Sequence, residues 1–161
     1  AALDWAAAQL RPNDPAGFAQ LATTARRGAA FFYPQHIRTG SAWMGPADPA
    51  AQARGVYEGI CFSLRELTAA MPPHGLDGGP IVAIGGGSEN LWWIEILANI
   101  LNRSVRPGDG DILLGAAMMA RPGVNPPRSA TPPVMSPKPD AAVEYERLYR
   151  AWLERVPLKS E

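Results

Sequence analysis

A single cysteine, Cys61, in 161 residues leaves no second thiol for an internal disulfide and none for a cysteine-ligated metal cluster. That scarcity points to a reducing compartment. Fifteen basic and fifteen acidic residues cancel, and no run of basic side chains marks a surface for nucleic acid or anionic membrane. No apolar run reaches the length needed to cross a bilayer. The opening AALDWAAAQL lacks the basic stretch, apolar core and cleavage site of a secretory signal. A soluble cytoplasmic protein without nucleic-acid or membrane partners is expected. Two nucleotide-binding signatures are also missing, since neither GxGxxG nor a Walker A loop ending in Lys-Ser/Thr occurs. What is present is 47% hydrophobic residues, enough to bury a core, and a length suited to one domain over residues 1–161.

Taken in order, residues 3–10 read as a short helix that begins abruptly. Asp14 caps a second helix with Pro15 at its first position, running to about Arg26. Residues 29–33, AAFFY, predict a strand. His36 and Arg38 follow in a polar loop at residues 35–40. Both are read as solvated, because acid–base or phosphate chemistry needs a positioned partner that the sequence does not supply. Residues 41–45 predict a short strand or turn. Asp48 and Pro49 then open the longest helix, with an apolar stripe of Val56, Tyr57, Ile60, Cys61, Leu64 and Leu67. Gly55 and Gly59 share one face of it. Each costs about 1 kcal/mol of helix propensity, which predicts close approach of a neighbouring element. Glu58 between them is read as a local pairing residue rather than a catalytic acid, and Cys61 as a small core residue.

The stretch IVAIGGGSENLWWIEILANIL, residues 81–101, is the most informative in the chain. Residues 81–84 predict a buried strand, Gly85, Gly86 and Gly87 break it, and Ser88 is the expected N-cap of a helix. Its expected apolar stripe is Trp92, Trp93, Ile96, Leu97, Ile100 and Leu101, with Glu95, Asn99 and Asn102 opposite. Three residues without Cβ let a flat ligand approach the backbone, and free N–H groups at the helix start favour anions or polar edges. A plain strand-to-helix turn has the same pattern, so the glycines alone do not choose between connector and nucleotide site. Beyond it, Asn102 and Arg103 turn the chain into a brief extended segment at residues 104–106. Asp109 and Asp111 lie in a glycine turn too poor in ligands and wrongly spaced for an EF-hand. Asp111 caps a predicted helix over residues 112–120, where Gly115 and Ala116 imply tight packing. Residues 121–139 hold seven prolines and predict a connecting loop. Asp140 caps a last helix over residues 140–156, with a stripe of Tyr145, Leu148, Tyr149, Trp152, Leu153 and Val156. Alternating strands and helices argue an α/β class.

Read together, VYEGICFSLREL (56–67), IVAIGGGSENLWWIEILANILNRSV (81–105), GDILLGAAMMA (110–120) and the tyrosine-rich end from Tyr145 to Trp152 resemble the C-terminal domain of the FGGY family of carbohydrate kinases, with xylulokinase-like members nearest. The sequence departs from the family pattern at Pro46, Gly55 and Glu89 and in a shortened loop at residues 35–40. The resemblance implies an actin-like, ribonuclease-H-like ATPase fold, of which this chain carries the later part of the C-terminal nucleotide-binding lobe. It implies ATP and Mg2+ as cofactors, with adenosine against Gly85, Gly86 and Gly87, polar contacts from Ser88 and Asn90, and Gly115 and Ala116 backing the pocket. The reaction implied is transfer of the ATP γ-phosphoryl to a sugar hydroxyl, of xylulose or a related ketose or polyol.

The family's catalytic aspartate and phosphate loops lie upstream of the equivalent of Ala1. A fragment, inactive alone and without a catalytic residue of its own, is therefore expected, its sugar bound through an absent N-terminal domain. A homodimer is left open. The alternative expectation is a non-catalytic α/β interaction module or degenerate kinase lobe, to which Glu89 and the short loop would belong.

Overall fold

The computed structural model describes residues 2–11, 14, 17–40, 42–71, 79–108 and 133–155. Pro15, Asp111, the helix predicted over 112–120, most of the proline-rich stretch and Val156 lie outside them. The chain divides into two compact units, Ala1–Pro72 with Ala142–Glu161, and Pro73–Ala141.

The first unit is built around α3 (Pro49–Ala70), 22 residues long. Asp48 Oδ2 accepts a hydrogen bond from the Ala51 N–H at 2.7 Å, and Pro49 occupies the first turn, where its missing donor is not needed. Before it stand α1 (Ala2–Leu10) and α2 (Gly17–Thr23). Asp14 Oδ1 accepts from the Gly17 N–H at 2.9 Å, as a cap should. Yet α2 stops short of Arg26. The Thr23 and Thr24 hydroxyls bond back to the carbonyls of Gln20 and Leu21, and the Ala25 carbonyl beyond the helix end accepts from the Arg54 guanidinium at 2.9 Å.

The predicted strand over 29–33 shrinks to β1 (Phe31–Phe32), antiparallel to β2 (Trp43–Met44), with Phe31 opposite Met44 and Phe32 opposite Trp43. Its backbone presses on α3 where that helix lacks side chains. A Cβ on Gly55 would lie 2.8 Å from the Ala30 carbonyl oxygen, and one on Gly59 would strike the carbonyl of Phe32. The close approach expected of the two glycines is thus made by β1 and the residue before it. Of the predicted stripe on α3, Val56, Tyr57 and Cys61 are buried together with Phe62, whereas Leu64 and Leu67 are exposed.

Residues 34–39 form a short 3-10 turn, Pro34–Thr39, in which the His36 ring meets Tyr33 edge-on at 6.2 Å. The last helix, α5 (Pro139–Glu154), belongs to this unit from Ala142 onward. It buries Tyr145 and Trp152 and leaves Leu153 exposed. Trp152 Nε1 donates to the Phe32 carbonyl at 2.9 Å, the Tyr33 hydroxyl donates to the Trp152 carbonyl at 3.0 Å, and the two rings stack with centroids 5.1 Å apart. Burial pushes the Tyr33 phenol up to about 12.

The second unit is a strand, turn, helix, strand sequence: β3 (Ile81–Ala83), α4 (Leu91–Leu101) and β4 (Val105–Pro107). The two strands are parallel, with Ile81, Val82 and Ala83 opposite Val105, Arg106 and Pro107. Ile94, Ala98 and Val105 form its core, packed by Ile81, Ala83, Leu97, Leu101 and Met135. The stripe on α4 is broader than the one predicted: Ile96 and Ile100 are buried and Leu97 and Leu101 pack on the core as expected. Ile94, left out of the expected stripe, is central. Asn99, expected on the solvated face, is buried and accepts the Lys138 N–H at 2.7 Å. Asn102 ends the helix in the left-handed region at φ 50°, its N–H on the Ala98 carbonyl. Val105 and Met135 exchange backbone hydrogen bonds of 2.9 and 2.7 Å, so the end of the proline-rich connector lines the free edge of β4.

Candidate functional site

At the end of β3 the chain makes a one-turn 3-10 helix, Gly86–Glu89, before entering α4. Gly85 leads into it at φ 93° and ψ 175°, a conformation essentially confined to glycine. The Ser88 N–H closes the turn on the Gly85 carbonyl at 2.9 Å, and the Asn90 N–H reaches the Gly87 carbonyl at 3.3 Å.

The three glycines have three different reasons. Gly85 is required by its backbone angles. Gly87 is required by packing, because a Cβ there would run into the Trp93 ring. Gly86 has no positive φ, and among the described residues a Cβ on it would meet nothing within 4 Å, as would one on Gly85. The turn thus presents bare backbone over open space. Ile84 before it, Leu91 after it and Val82 on β3 are exposed apolar residues.

The polar residues expected at the site are placed differently from one another. Ser88 is not the N-cap. It is buried inside the turn, and its hydroxyl donates to the Gly85 carbonyl at 2.7 Å. Asn90 is the cap, its Oδ1 accepting from the Trp93 N–H at 3.2 Å. The 3-10 turn delays the helix by two residues and so moves the cap. An Asn three positions before Trp93, in reach of its N–H, is the sequence signal for this cap. Glu89 is exposed. Gly108 donates its N–H to the Ala83 carbonyl at 2.7 Å and extends the parallel ladder of β3 and β4. Among the described residues no group of three His, Cys, Asp or Glu is placed to hold a metal ion.

Among the described residues of the first unit the one deeply buried acid is Glu58, 1% exposed. Its carboxyl accepts from Arg54 Nε at 2.7 Å, the Gly28 N–H at 2.9 Å and the Tyr145 hydroxyl at 3.0 Å, while Arg54 also donates to Tyr145 at 3.1 Å. Local pairing with Arg54 is as expected; the ties to Gly28 and Tyr145 could not be read from spacing. Burial pushes the Glu58 carboxyl up, against the pull of Arg54 and the two other donors. Burial also works against the Arg54 cation, but the charge and hydrogen bond of Glu58 reverse that and raise it. Every polar atom of this acid is engaged within the fold, which makes it a clamp on three segments and not an open catalytic group.

The sequence profile of the FGGY family of carbohydrate kinases, C-terminal domain, matches residues 2–121. Xylulose kinase from Staphylococcus xylosus is 38% identical over 72 residues, 44% of this chain. Xylulose kinases from Bacillus subtilis and Escherichia coli are 36% and 31% identical over 69 and 84 residues. The chain spans only 15%, 14% and 17% of these three relatives. Among solved structures, xylulose kinases from Lactobacillus acidophilus and Rhodospirillum rubrum superpose on 95% of the chain with TM-scores of 0.74 and 0.72 at 22% identity, the chain covering 36% of each. The architecture is the actin-like, ribonuclease-H-like ATPase fold of those kinases.

Proposed function

The chain belongs to the FGGY family of carbohydrate kinases, and on that premise we propose that its two units are parts of one C-terminal domain that binds ATP. The enzyme it serves would transfer the γ-phosphoryl to a hydroxyl of xylulose or a related ketose or polyol. The observation that carries the nucleotide assignment is the bare, open backbone at Gly86, the one glycine of the run that the fold itself does not require. Adenosine would lie against Gly85, Gly86 and Gly87. Ser88 and Asn90 would act by holding the turn's shape, since their hydroxyl and side-chain oxygen are engaged within it.

Phosphoryl transfer needs positioned phosphates with their metal and a group to orient the attacking hydroxyl. In this reading those parts lie outside these residues. Magnesium would be held mainly through the nucleotide phosphates, as is usual for an ion that keeps few protein ligands. The chain alone is expected to bind nucleotide weakly and to transfer no phosphoryl group.

Isothermal titration with ATP, ADP and AMP, with and without magnesium, tests the assignment beside Gly86→Val. Similar affinity for all three nucleotides, weakened by the substitution in a protein of unchanged fold, is the expected outcome. Absence of binding by a folded chain would remove the nucleotide assignment and favour the non-catalytic module.

A further inference from the structure

A 3-10 helix repeats every three residues, so residues 86 and 89 of the turn Gly86–Glu89 stand on one face. Glu89 therefore stands on the same face as the opening left by Gly86; it is exposed, and no described residue pairs its carboxylate. The other polar side chains of the turn are committed to it: the Ser88 hydroxyl to the Gly85 carbonyl at 2.7 Å, and Asn90 Oδ1 to the Trp93 N–H at 3.2 Å. Glu89 is what remains on that face to meet a ligand.

A carboxylate accepts hydrogen bonds and donates none, and it repels other anions. Phosphates are thus disfavoured beside it, as is the acceptor nitrogen on the pairing edge of adenine. Two adjacent hydroxyls suit its two oxygens best. On ATP only the ribose 2′,3′-diol offers such a pair, and an acidic residue meeting ribose hydroxyls is a known solution in other nucleotide folds. We infer that Glu89 holds the ribose diol of the bound nucleotide, laying the nucleoside over Gly86 with the phosphates directed away from the turn. This rests on the nucleotide reading above. A vicinal diol could also come from the sugar substrate, so the test separates the two.

The experiment is an amide NMR titration of the whole 161-residue chain with ATP, 2′-deoxy-ATP, GTP and xylulose, on the native sequence and on Glu89→Ala. ATP is expected to move the amides of residues 85–90, and 2′-deoxy-ATP to bind about tenfold more weakly, the effect of losing one hydrogen bond to a charged group. Glu89→Ala should abolish the preference for ATP over 2′-deoxy-ATP, weakening ATP by more than the deoxy analogue, which loses only its 3′-hydroxyl bond, and should keep the unfolding midpoint, because the side chain is exposed. Xylulose alone should leave the turn unmoved. Equal affinity for ATP and 2′-deoxy-ATP in the native chain overturns the inference while leaving the nucleotide site standing. So does a preference for GTP over ATP that Glu89→Ala abolishes, since the carboxylate would then be accepting from the N–H donors of guanine. Xylulose binding at the turn that Glu89→Ala abolishes would give the carboxylate to the sugar. If ATP moves no amide of the turn, both the site and the role of Glu89 fall together.

Discussion

Gly59→Ala sets two effects of known size against each other. In an exposed helix the substitution stabilises by about 1 kcal/mol, because alanine is the better helix former. Here the added methyl would strike the carbonyl oxygen of Phe32 and lie 2.9 Å from its carbonyl carbon and 3.0 Å from its Cβ. Nonbonded carbons rest at about 3.5–4.0 Å and the carbonyl oxygen is struck harder than either carbon, so α3 must retreat from β1 by ~1 Å or more. The neighbouring Glu58 goes with it and stretches its 2.9 Å hydrogen bond to Gly28 in a buried place. Overpacking of this kind costs roughly 1–3 kcal/mol, and strain on a buried charged acceptor adds to it, giving a net loss of about 2 kcal/mol. Urea unfolding followed by tryptophan fluorescence reads this as a midpoint lowered by about 1 M at unchanged slope. A Gly59→Ala chain as stable as the parent, or more so, would refute the contact between α3 and β1. Gly86→Ala is the internal control, since open space and ordinary φ predict a stability unchanged or raised by about 0.5 kcal/mol.

Glu58→Ala should cost about 3–5 kcal/mol by leaving Arg54 buried without its partner, measured by the same unfolding assay. The raised Glu58 carboxyl also has a signature in pH: its contribution to stability is complete below the ordinary value of 4.5 and is lost as pH rises through the higher native value. Glu58→Gln should remove that fall, whereas Asp14, held down by Arg11, and Glu146, held down by Arg65, give stability that is lost as pH falls, and both remain in the variant. Asp48→Ala should lower stability by about 1 kcal/mol through loss of the α3 cap, visible in thermal unfolding by circular dichroism.

Local chemistry was readable wherever one segment decides the outcome alone. Asp48 with Pro49 marked the start of α3, Asp14 the start of α2, and the glycine run the end of β3. The reading failed where a distant group competes for a local one. The Thr23 and Thr24 hydroxyls take the carbonyls of Gln20 and Leu21 at the end of α2, and the Ala25 carbonyl beyond it is held by Arg54 of α3. Asn99 is polar at a helix position that should face solvent, yet the N–H of Lys138 needs an acceptor there and draws it inside. The site shows the same division. That Gly85 to Gly87 form a bare turn followed from residue type, but which of the three glycines the fold needs depended on where the Trp93 ring lies.

The order of strand, glycine turn and helix, the cap of α3 and the family signature are properties of the chain read end to end, because each depends on residues a few positions apart. Tertiary structure alone decided that Gly55 and Gly59 receive Ala30 and Phe32, that Glu58 joins Gly28 to Tyr145, and that Met135 borders β4. Those pairings join residues 25 to 87 positions apart in sequence. Nothing in local propensity ranks them above their alternatives; they follow from which backbone groups and apolar faces are left unsatisfied once the local elements have formed.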